Sequence, residues 1–207
     1  IVGVATTPDG DGYWLVGADG GVFAFGDAVF HGSLPASEIS PAQPIVGVAT
    51  TPDGDGYWLV GADGGVFAFG DAVFHGSAVG TGLEPVTAIV ASPDGGGYAL
   101  VDRYGAVSVF GDAVDSGAIP PVPGTSTSTE TDTSLLGPIV AVAANAQGTG
   151  YWMAGSDGGV FAFGVPFAGS LESTHRAPGA PITGIATWVT RPFSCSVAGP
   201  HRITAGC

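Results

Sequence analysis

Aspartate residues recur in the tight turns of this sequence and are its most numerous candidates for chemistry. Six of them fall at matched positions 44 residues apart: Asp9, Asp11, Asp27, Asp53, Asp55 and Asp71. Hard cations such as Ca²⁺ bind carboxylate and carbonyl oxygens, so these residues are candidate metal ligands. An EF-hand loop would need a third Asp and a Glu at its twelfth position, and neither is present. Because Asp also accepts hydrogen bonds from the backbone of its own turn, turn formation is favoured over a Ca²⁺ site.

Tryptophan and histidine side chains are the candidates for binding an organic ligand. Trp14, Trp58 and Trp152 occupy matched positions. They are candidates for stacking on sugar rings, and burial in the core is the alternative for such large aromatic side chains. His31 and His75 lie in the string VFHGS. An imidazole there can bind a metal or hydrogen-bond a sugar, but we expect these histidines to be surface residues or partly satisfied by hydrogen bonds.

No arrangement of residues typical of an enzyme appears in the chain. The strings G-x-S-x-G and H-E-x-x-H are absent, and the two cysteines lack metal-binding spacing. We therefore expect a protein without catalytic activity. Cys195 and Cys207 are expected to form a disulfide that closes the C-terminal segment, which is typical of an extracellular compartment. A thiol–imidazole pair of Cys195 with His201 is the alternative.

The elements that position these residues are tandem repeats. Residues 1–33 recur without change as residues 45–77, and further copies diverge from them. The units of the single domain are 1–44, 45–85, 86–138, 139–181 and a partial unit 182–207. The Pro- and Ser/Thr-rich segment 119–137 can bury little apolar surface and is expected to be an exposed loop.

Each unit contains four short apolar runs separated by turn signals, which predicts four β-strands. Asp-Gly and Gly-Gly pairs between the runs favour hairpins. Runs such as YWLV, apolar at successive positions, indicate sheets covered on both faces. A repeat of this length is typical of a propeller blade, and a β-solenoid is the main alternative. We predict an all-β, five-bladed β-propeller of four-stranded antiparallel sheets. Its partial fifth unit either forms three short strands or adds its first strand to the first blade.

Strand direction determines which turns share an end of the predicted ring. In an up-and-down blade, the first and third connections lie at the same end. Eight aspartates belong to these connections: Asp9, Asp11, Asp27, Asp53, Asp55, Asp71, Asp94 and Asp112. Like charges held close together repel one another and attract cations. The sequence therefore predicts one acidic end of the ring.

The charge balance argues against several classes of partner. The chain has 18 acidic residues, four basic residues and a formal net charge of −14. Affinity for nucleic acid depends largely on Lys and Arg, and so does attraction to anionic membranes. No apolar run approaches the roughly 20 residues of a membrane-spanning helix. We expect neither a nucleic-acid partner nor membrane insertion. The start at Ile1, without a signal-peptide pattern, is expected of a mature product or a fragment.

The string GYWLVGADGGVFAFGDAVFHGS, residues 12–33, resembles a repeat of secreted or cell-envelope proteins from high-GC actinobacteria. In those proteins the copies follow one another, often beside a catalytic or wall-binding domain. The resemblance covers residues 1–118 and 139–170. It implies a propeller-like fold and a secreted or envelope-exposed location, and it assigns no activity. The architecture is also similar to five-bladed lectin propellers of the tachylectin type, although no sugar-binding motif of those lectins matches this sequence.

Repetition and composition together lead to a functional expectation. Near-identical blades favour multivalent recognition, because linked copies raise avidity without new contacts. We expect a non-enzymatic, extracellular binding module whose partner is a glycan, a cell-wall component or a protein. The alternative is a structural protein that assembles into homo-oligomers through blade contacts or unpaired strand edges.

Overall fold

The computed structural model describes residues 1–83, 85–120, 137–171 and 178–186. Its regular structure is almost entirely β, as predicted, with one short 3₁₀ helix at Pro35–Ser37. The strands are β1 (Gly3–Thr6), β2 (Gly12–Val16), β3 (Val22–Gly26), β4 (Ile45–Thr50), β5 (Gly56–Gly61), β6 (Val66–Gly70), β7 (Val86–Ala91), β8 (Gly97–Asp102), β9 (Val107–Gly111), β10 (Ile139–Ala144), β11 (Tyr151–Gly155) and β12 (Val160–Phe163).

The strands form four three-stranded antiparallel sheets, one for each of the first four repeats. Their strand orders are β1-β2-β3, β4-β5-β6, β7-β8-β9 and β10-β11-β12. The middle strand of each sheet therefore pairs with both of its neighbours. In the second sheet, Trp58 pairs with Ala49 on one side and with Ala68 on the other. Cross-strand neighbours share a face, so these small residues leave room there for the indole ring.

The fourth strand predicted for each repeat does not form among the described residues. The chain instead leaves its own sheet and passes to the next repeat. We term these stretches the connecting segments: residues 27–33, 71–77, 112–118 and 165–170. Their backbone bonds to side chains, since the Trp14 indole donates to the Val29 carbonyl and the Tyr57 hydroxyl donates to the Gly32 carbonyl. Pairing with a strand is therefore not needed to satisfy these backbone groups.

Successive sheets pack against each other in the same way along the chain. At the first strands, a Cβ atom on Gly3 would lie only 3.0 Å from Val48, so the glycine lets β1 approach β4 closely. At the first turns, Gly54 lies against Pro8, and the same contact recurs in the following two repeats. The first turns of successive repeats are thus stacked in a row at one end of the sheets.

The core lies between the sheets and consists of three clusters of buried side chains. Between the first two sheets, Trp14, Val16 and Leu34 of the first repeat contact Ile45 and Leu59 of the second. The middle strands β5 and β8 are buried at every residue, as predicted for sheets covered on both faces. Because the core is shared between neighbours, each repeat depends on the next for its stability.

Each later repeat begins on the second turn of the repeat before it. The N–H of Ile45 donates to the Ala18 carbonyl at 2.9 Å. Ile182, the first residue of the partial fifth unit, donates in the same manner to the Ser156 carbonyl at 2.9 Å. The partial unit therefore starts in the same place as a complete one. Over the described residues, the four sheets form an open series and not a closed ring.

Three further expectations from the sequence concern a loop, a disulfide and membrane-spanning helices. The predicted loop 119–137 is described only at its ends, and there Ile119 is buried beside Val101 and Met153. Cys195 and Cys207 lie outside the described residues, so their disulfide stays a prediction. None of the described residues belongs to a helix long and apolar enough to cross a lipid bilayer.

The stacked first turns predict unequal effects for one substitution made at two equivalent glycines. Gly10 and Gly54 have φ values of 87° and 82°. Alanine therefore strains the backbone at both sites, by about 1–2 kcal/mol. A Cβ atom on Gly10 would meet open space, whereas one on Gly54 would lie 2.8 Å from Pro8.

Gly54→Ala should lower the free energy of unfolding by about 1–3 kcal/mol more than Gly10→Ala does, as measured by urea denaturation. The two repeats are identical in sequence here, so Gly10→Ala is a matched control for backbone strain. Equal losses in the two variants would contradict the stacking of the turns.

Candidate functional site

The structure brings together the three candidate carboxylates of the first repeat. Oxygen atoms of Asp9, Asp11 and Asp27 lie within 4.8 Å of one another, and all three side chains are exposed. These residues come from the first and third connections, which share one end of the sheet as the strand directions predict. Thr7 Oγ1 donates to Asp9 Oδ1 at 2.7 Å and lies 3.2 Å from Asp27 Oδ1. One hydroxyl thus links the two connections.

The first aspartate of each such turn holds the turn in shape. Asp9 Oδ1 accepts a hydrogen bond from the N–H of Asp11 at 3.2 Å, and Asp53 accepts the same bond from Asp55 at 3.2 Å. The pKa of Asp9 and of Asp53 is lowered, first by the threonine hydroxyl two residues earlier and next by this backbone bond. Both groups are therefore ionised at neutral pH, and both stabilise the turn.

The gathered carboxylates of one turn alone supply fewer oxygen ligands than a Ca²⁺ ion takes. It takes about six to eight oxygen ligands. The first repeat gathers three carboxylates, and Asp9 already accepts hydrogen bonds from Thr7 and Asp11. The second repeat has the same sequence, yet its carboxylates do not gather as closely among the described residues. The clustering therefore depends on exposed side-chain conformations.

The acidic turns of the first three repeats lie side by side, because their prolines and glycines are stacked. In the third repeat, the Ser92 hydroxyl donates to Asp112 Oδ1 at 3.1 Å. Hydrogen bonds from the Gly96 N–H and then from Ser92 lower the pKa of Asp94. The fourth repeat differs, because the Asn145 side chain closes the turn there. The acidic end therefore extends over three repeats.

Trp14 and Trp58 belong to the core, which was the alternative to sugar stacking. Trp14 and Trp58 are 1% and 0% exposed. The Trp14 ring lies 5.9 Å from the Tyr57 ring of the next repeat. Trp152 is only partly buried, and its indole N–H donates to the Pro166 carbonyl at 2.9 Å. Because a buried ring presents no face to a ligand, Trp14 and Trp58 offer no surface for stacking on a sugar.

His31 and His75 lie between repeats and are half-buried there. The His31 ring is 5.7 Å from the Tyr57 ring, and its Nε2 lies 3.2 Å from the Gly54 carbonyl oxygen. The His75 ring contacts Tyr98 in the same way, but its buried Nε2 has no hydrogen-bond partner among the described residues. Both histidines therefore join neighbouring repeats.

Three exposed aromatic side chains lie on the connecting segments, in apolar runs that the sequence predicts to be fourth strands. Phe30, Phe74 and Phe167 occupy matched positions and are 51%, 56% and 56% exposed. Phe30 belongs to the apolar run VFHGS, which the four-strand pattern predicts to be a strand. Since no strand forms, the ring projects from the surface. In the third repeat, Asp115 takes its place.

The first repeat has an open apolar face. Tyr13 and Phe25 stack with ring centroids 5.1 Å apart and are 42% and 44% exposed. The equivalent tyrosine of the second repeat, Tyr57, is fully buried, because the connecting segment of the first repeat covers it. The face around Tyr13 is thus shaped for a connecting segment, and no described segment covers it.

Comparison with known proteins adds no assignment to this geometry. No protein-family model matches the chain, and no curated protein shows significant sequence similarity to it. The function must therefore be argued from the two exposed apolar features, the matched phenylalanines and the open face of the first repeat, and from the acidic end.

The threonine bond in the first turn predicts a measurable change in one carboxylate. Thr51→Val removes the hydroxyl that most lowers the pKa of Asp53, so this pKa should rise toward its ordinary value of 3.8. Asp9 keeps its own threonine and is an internal control in the same NMR titration. A depressed pKa in the folded state stabilises the protein above the unfolded pKa, and this contribution is lost as the pH falls through the folded value.

The Thr51→Val variant should consequently lose less stability than the unsubstituted protein on acidification below about pH 4. Chemical denaturation at several pH values measures this difference. An Asp53 pKa that does not move would contradict the hydroxyl as its main cause.

Because the acidic end holds like charges close together, the stability of the protein should depend on ionic strength. It should not depend on whether the added cation is calcium. Salt at 0.1 M screens charges over about 10 Å, so the melting temperature should rise with added NaCl. If the aspartates of the acidic end act as turn formers, as their hydrogen bonds favour, CaCl₂ and MgCl₂ at equal ionic strength should give equal melting temperatures in calorimetry. A rise specific to Ca²⁺ would demonstrate a metal site. A melting temperature that is independent of salt would contradict the shared acidic end.

Proposed function

We propose that this chain is a non-enzymatic, extracellular repeat module that binds a glycan of the cell envelope through matched sites on successive repeats. The observation that carries this proposal is the recurrence of one exposed phenylalanine on three connecting segments, Phe30, Phe74 and Phe167. The extracellular setting is supported by the resemblance of the repeat to those of actinobacterial envelope proteins. The proposed module is the five-bladed β-propeller that the sequence predicts, with the four sheets as its first four blades.

The packing between sheets supports the propeller. The stacked first turns recur at each junction between sheets, as expected of successive blades in a repeat fold. Gly3 and Gly47 have no side chain, so they let the first strands of neighbouring sheets approach each other closely. Close approach of the first strands is expected at the inner edge of propeller blades. Among the described residues, the first repeat lacks the connecting segment over Tyr13 that a preceding blade would supply.

The matched phenylalanines support multivalent recognition. An exposed aromatic ring offers an apolar face that can lie against the C–H groups of a sugar. One such contact is weak, but several linked copies raise avidity by about 10²–10⁴ without any new contact. The high negative charge of the chain disfavours polyanionic glycans and favours neutral or amino sugars as ligands.

A second candidate function, self-assembly, is favoured by the open face of the first repeat. Ile1 and Val4 extend this face beyond the stacked pair of Tyr13 and Phe25, and they are 74% and 63% exposed. A second copy of the chain could supply the missing connecting segment. Such a contact joins two different surfaces and therefore builds rings or filaments.

A glycan array tests the first candidate. The unsubstituted chain should bind at least one class of neutral or amino sugar, and the triple variant Phe30→Ala/Phe74→Ala/Phe167→Ala should lose at least about 100-fold in apparent affinity. Val79→Ala is the control, because Val79 is also 56% exposed but lies outside the connecting segments. An array without any signal, or equal binding by the triple variant, would contradict glycan binding through these residues.

Light scattering on the same samples tests the second candidate. Self-assembly predicts particles that grow with protein concentration and that disappear on Tyr13→Asp, which places a charge on the open face. A monomer at all concentrations would exclude assembly through this face.

A further inference from the structure

A pocket of about 290 Å³ opens between the third and fourth sheets, beside the stacked first turns. Its walls include Val90, Ala99, Val114, Gly148 and Tyr151. The acidic turns and the matched phenylalanines do not account for a space of this size between the third and fourth sheets.

Between the other sheets, an indole ring fills the corresponding place. The matched positions on the four middle strands are Trp14, Trp58, Ala99 and Trp152. Each of these residues pairs with the penultimate residue of the first strand in its own sheet. Only the third repeat has a small residue here, so its indole is missing.

Two walls of the pocket match the surroundings of the Trp14 indole, whereas Val90 and Val109 flank Ala99 in place of the alanines that flank Trp14. Trp14 lies against the Tyr57 ring, and its outer edge reaches the place where a Cβ atom on Gly54 would be. Tyr151 and Gly148 are the equivalents of these two residues, and both line the pocket. The pocket therefore overlaps the space that an indole occupies elsewhere in the molecule.

The hydrogen-bond acceptor of that indole is also retained. The Trp14 and Trp58 indoles donate to the carbonyls of Val29 and Val73, both at 2.8 Å. Val114 holds the same place in the third connecting segment and lines the pocket. No described residue donates to its carbonyl oxygen.

We propose that this pocket binds a small molecule of the indole class, a planar bicyclic aromatic with one N–H donor. The ring lies against Tyr151 in place of the missing side chain, and its N–H donates to the Val114 carbonyl. The space is sufficient, because an apolar cavity of about 150 Å³ already accommodates benzene. The proposal is independent of glycan binding and of self-assembly.

The charge around the pocket favours a cationic substituent on the ring. Asp94 and Asp112 line it, and hydrogen bonds lower the pKa of Asp94, so a negative charge persists at neutral pH. An amine attached to the indole is attracted to this charge, and a carboxylate is repelled by it. The expected order of affinity is tryptamine, then indole, then indole-3-acetate.

Calorimetric titration of the full chain with four probes tests the proposal. Indole and tryptamine should each bind once per chain. Indene has the ring shape without the N–H, and its affinity should be about three- to tenfold weaker than that of indole. The preference for tryptamine over indole-3-acetate should shrink as salt is added.

The variant Ala99→Trp is the matched control, because it restores the residue that the other repeats carry. It should abolish indole binding, because the new side chain enters the pocket. If the Ala99→Trp variant does not fold, NMR of the unsubstituted protein tests the proposal instead. Indole should shift the methyl signals of Val90 and Val114 but not those of Val29 and Val73.

Three outcomes would overturn the proposal. They are an absence of indole binding to the unsubstituted chain, equal binding by a folded Ala99→Trp variant, and methyl shifts outside the third and fourth repeats. Equal affinities for indole and indene would overturn the assigned hydrogen bond to Val114.

Discussion

The cohesion of the repeats depends on a tyrosine hydroxyl that reaches back to the connecting segment before it. Tyr57 donates to the Gly32 carbonyl, and the same bond joins Tyr98 to Gly76. The acceptor must be glycine, because a Cβ atom on Gly32 would come within 2.8 Å of the Phe69 ring. Burial raises the pKa of the Tyr57 hydroxyl, so it stays protonated and able to donate throughout the neutral range.

In this bond the tyrosine of one repeat always reaches back to the repeat before it. The exposed features of the surface follow from this order. Each repeat receives a connecting segment from the repeat before it, so the first repeat leaves Tyr13 uncovered. The connecting segment is held by side chains and not by a strand, which leaves its phenylalanine outside the sheet. A single residue difference then makes one junction between sheets unlike the others. Ala99 stands where the first two repeats have tryptophan, and a pocket lies beside it.

The sequence by itself determined the features that depend on local chemistry and on repetition. Identical residues 1–33 and 45–77 required equivalent sheets. Asp-Gly and Gly-Gly pairs specified the hairpins, and strand alternation placed Asp9 and Asp27 at one end of a sheet. The turn role of Asp9 was also foreseeable, because an aspartate bonds to a backbone N–H only two residues away. Such contacts need no knowledge of distant partners.

Only the tertiary structure decided which apolar residues are buried. Phe30 and Trp14 both stand in apolar runs, yet Phe30 is exposed and Trp14 is buried. The difference arises because the next repeat covers the middle strand, while Trp14 and Tyr57 satisfy the backbone of the connecting segment and remove its need for a strand partner. The pocket at Ala99 likewise exists only because Tyr151 and Val114 keep the positions that they would hold around an indole. Burial depends on which surfaces meet, and residues far apart in the chain determine that.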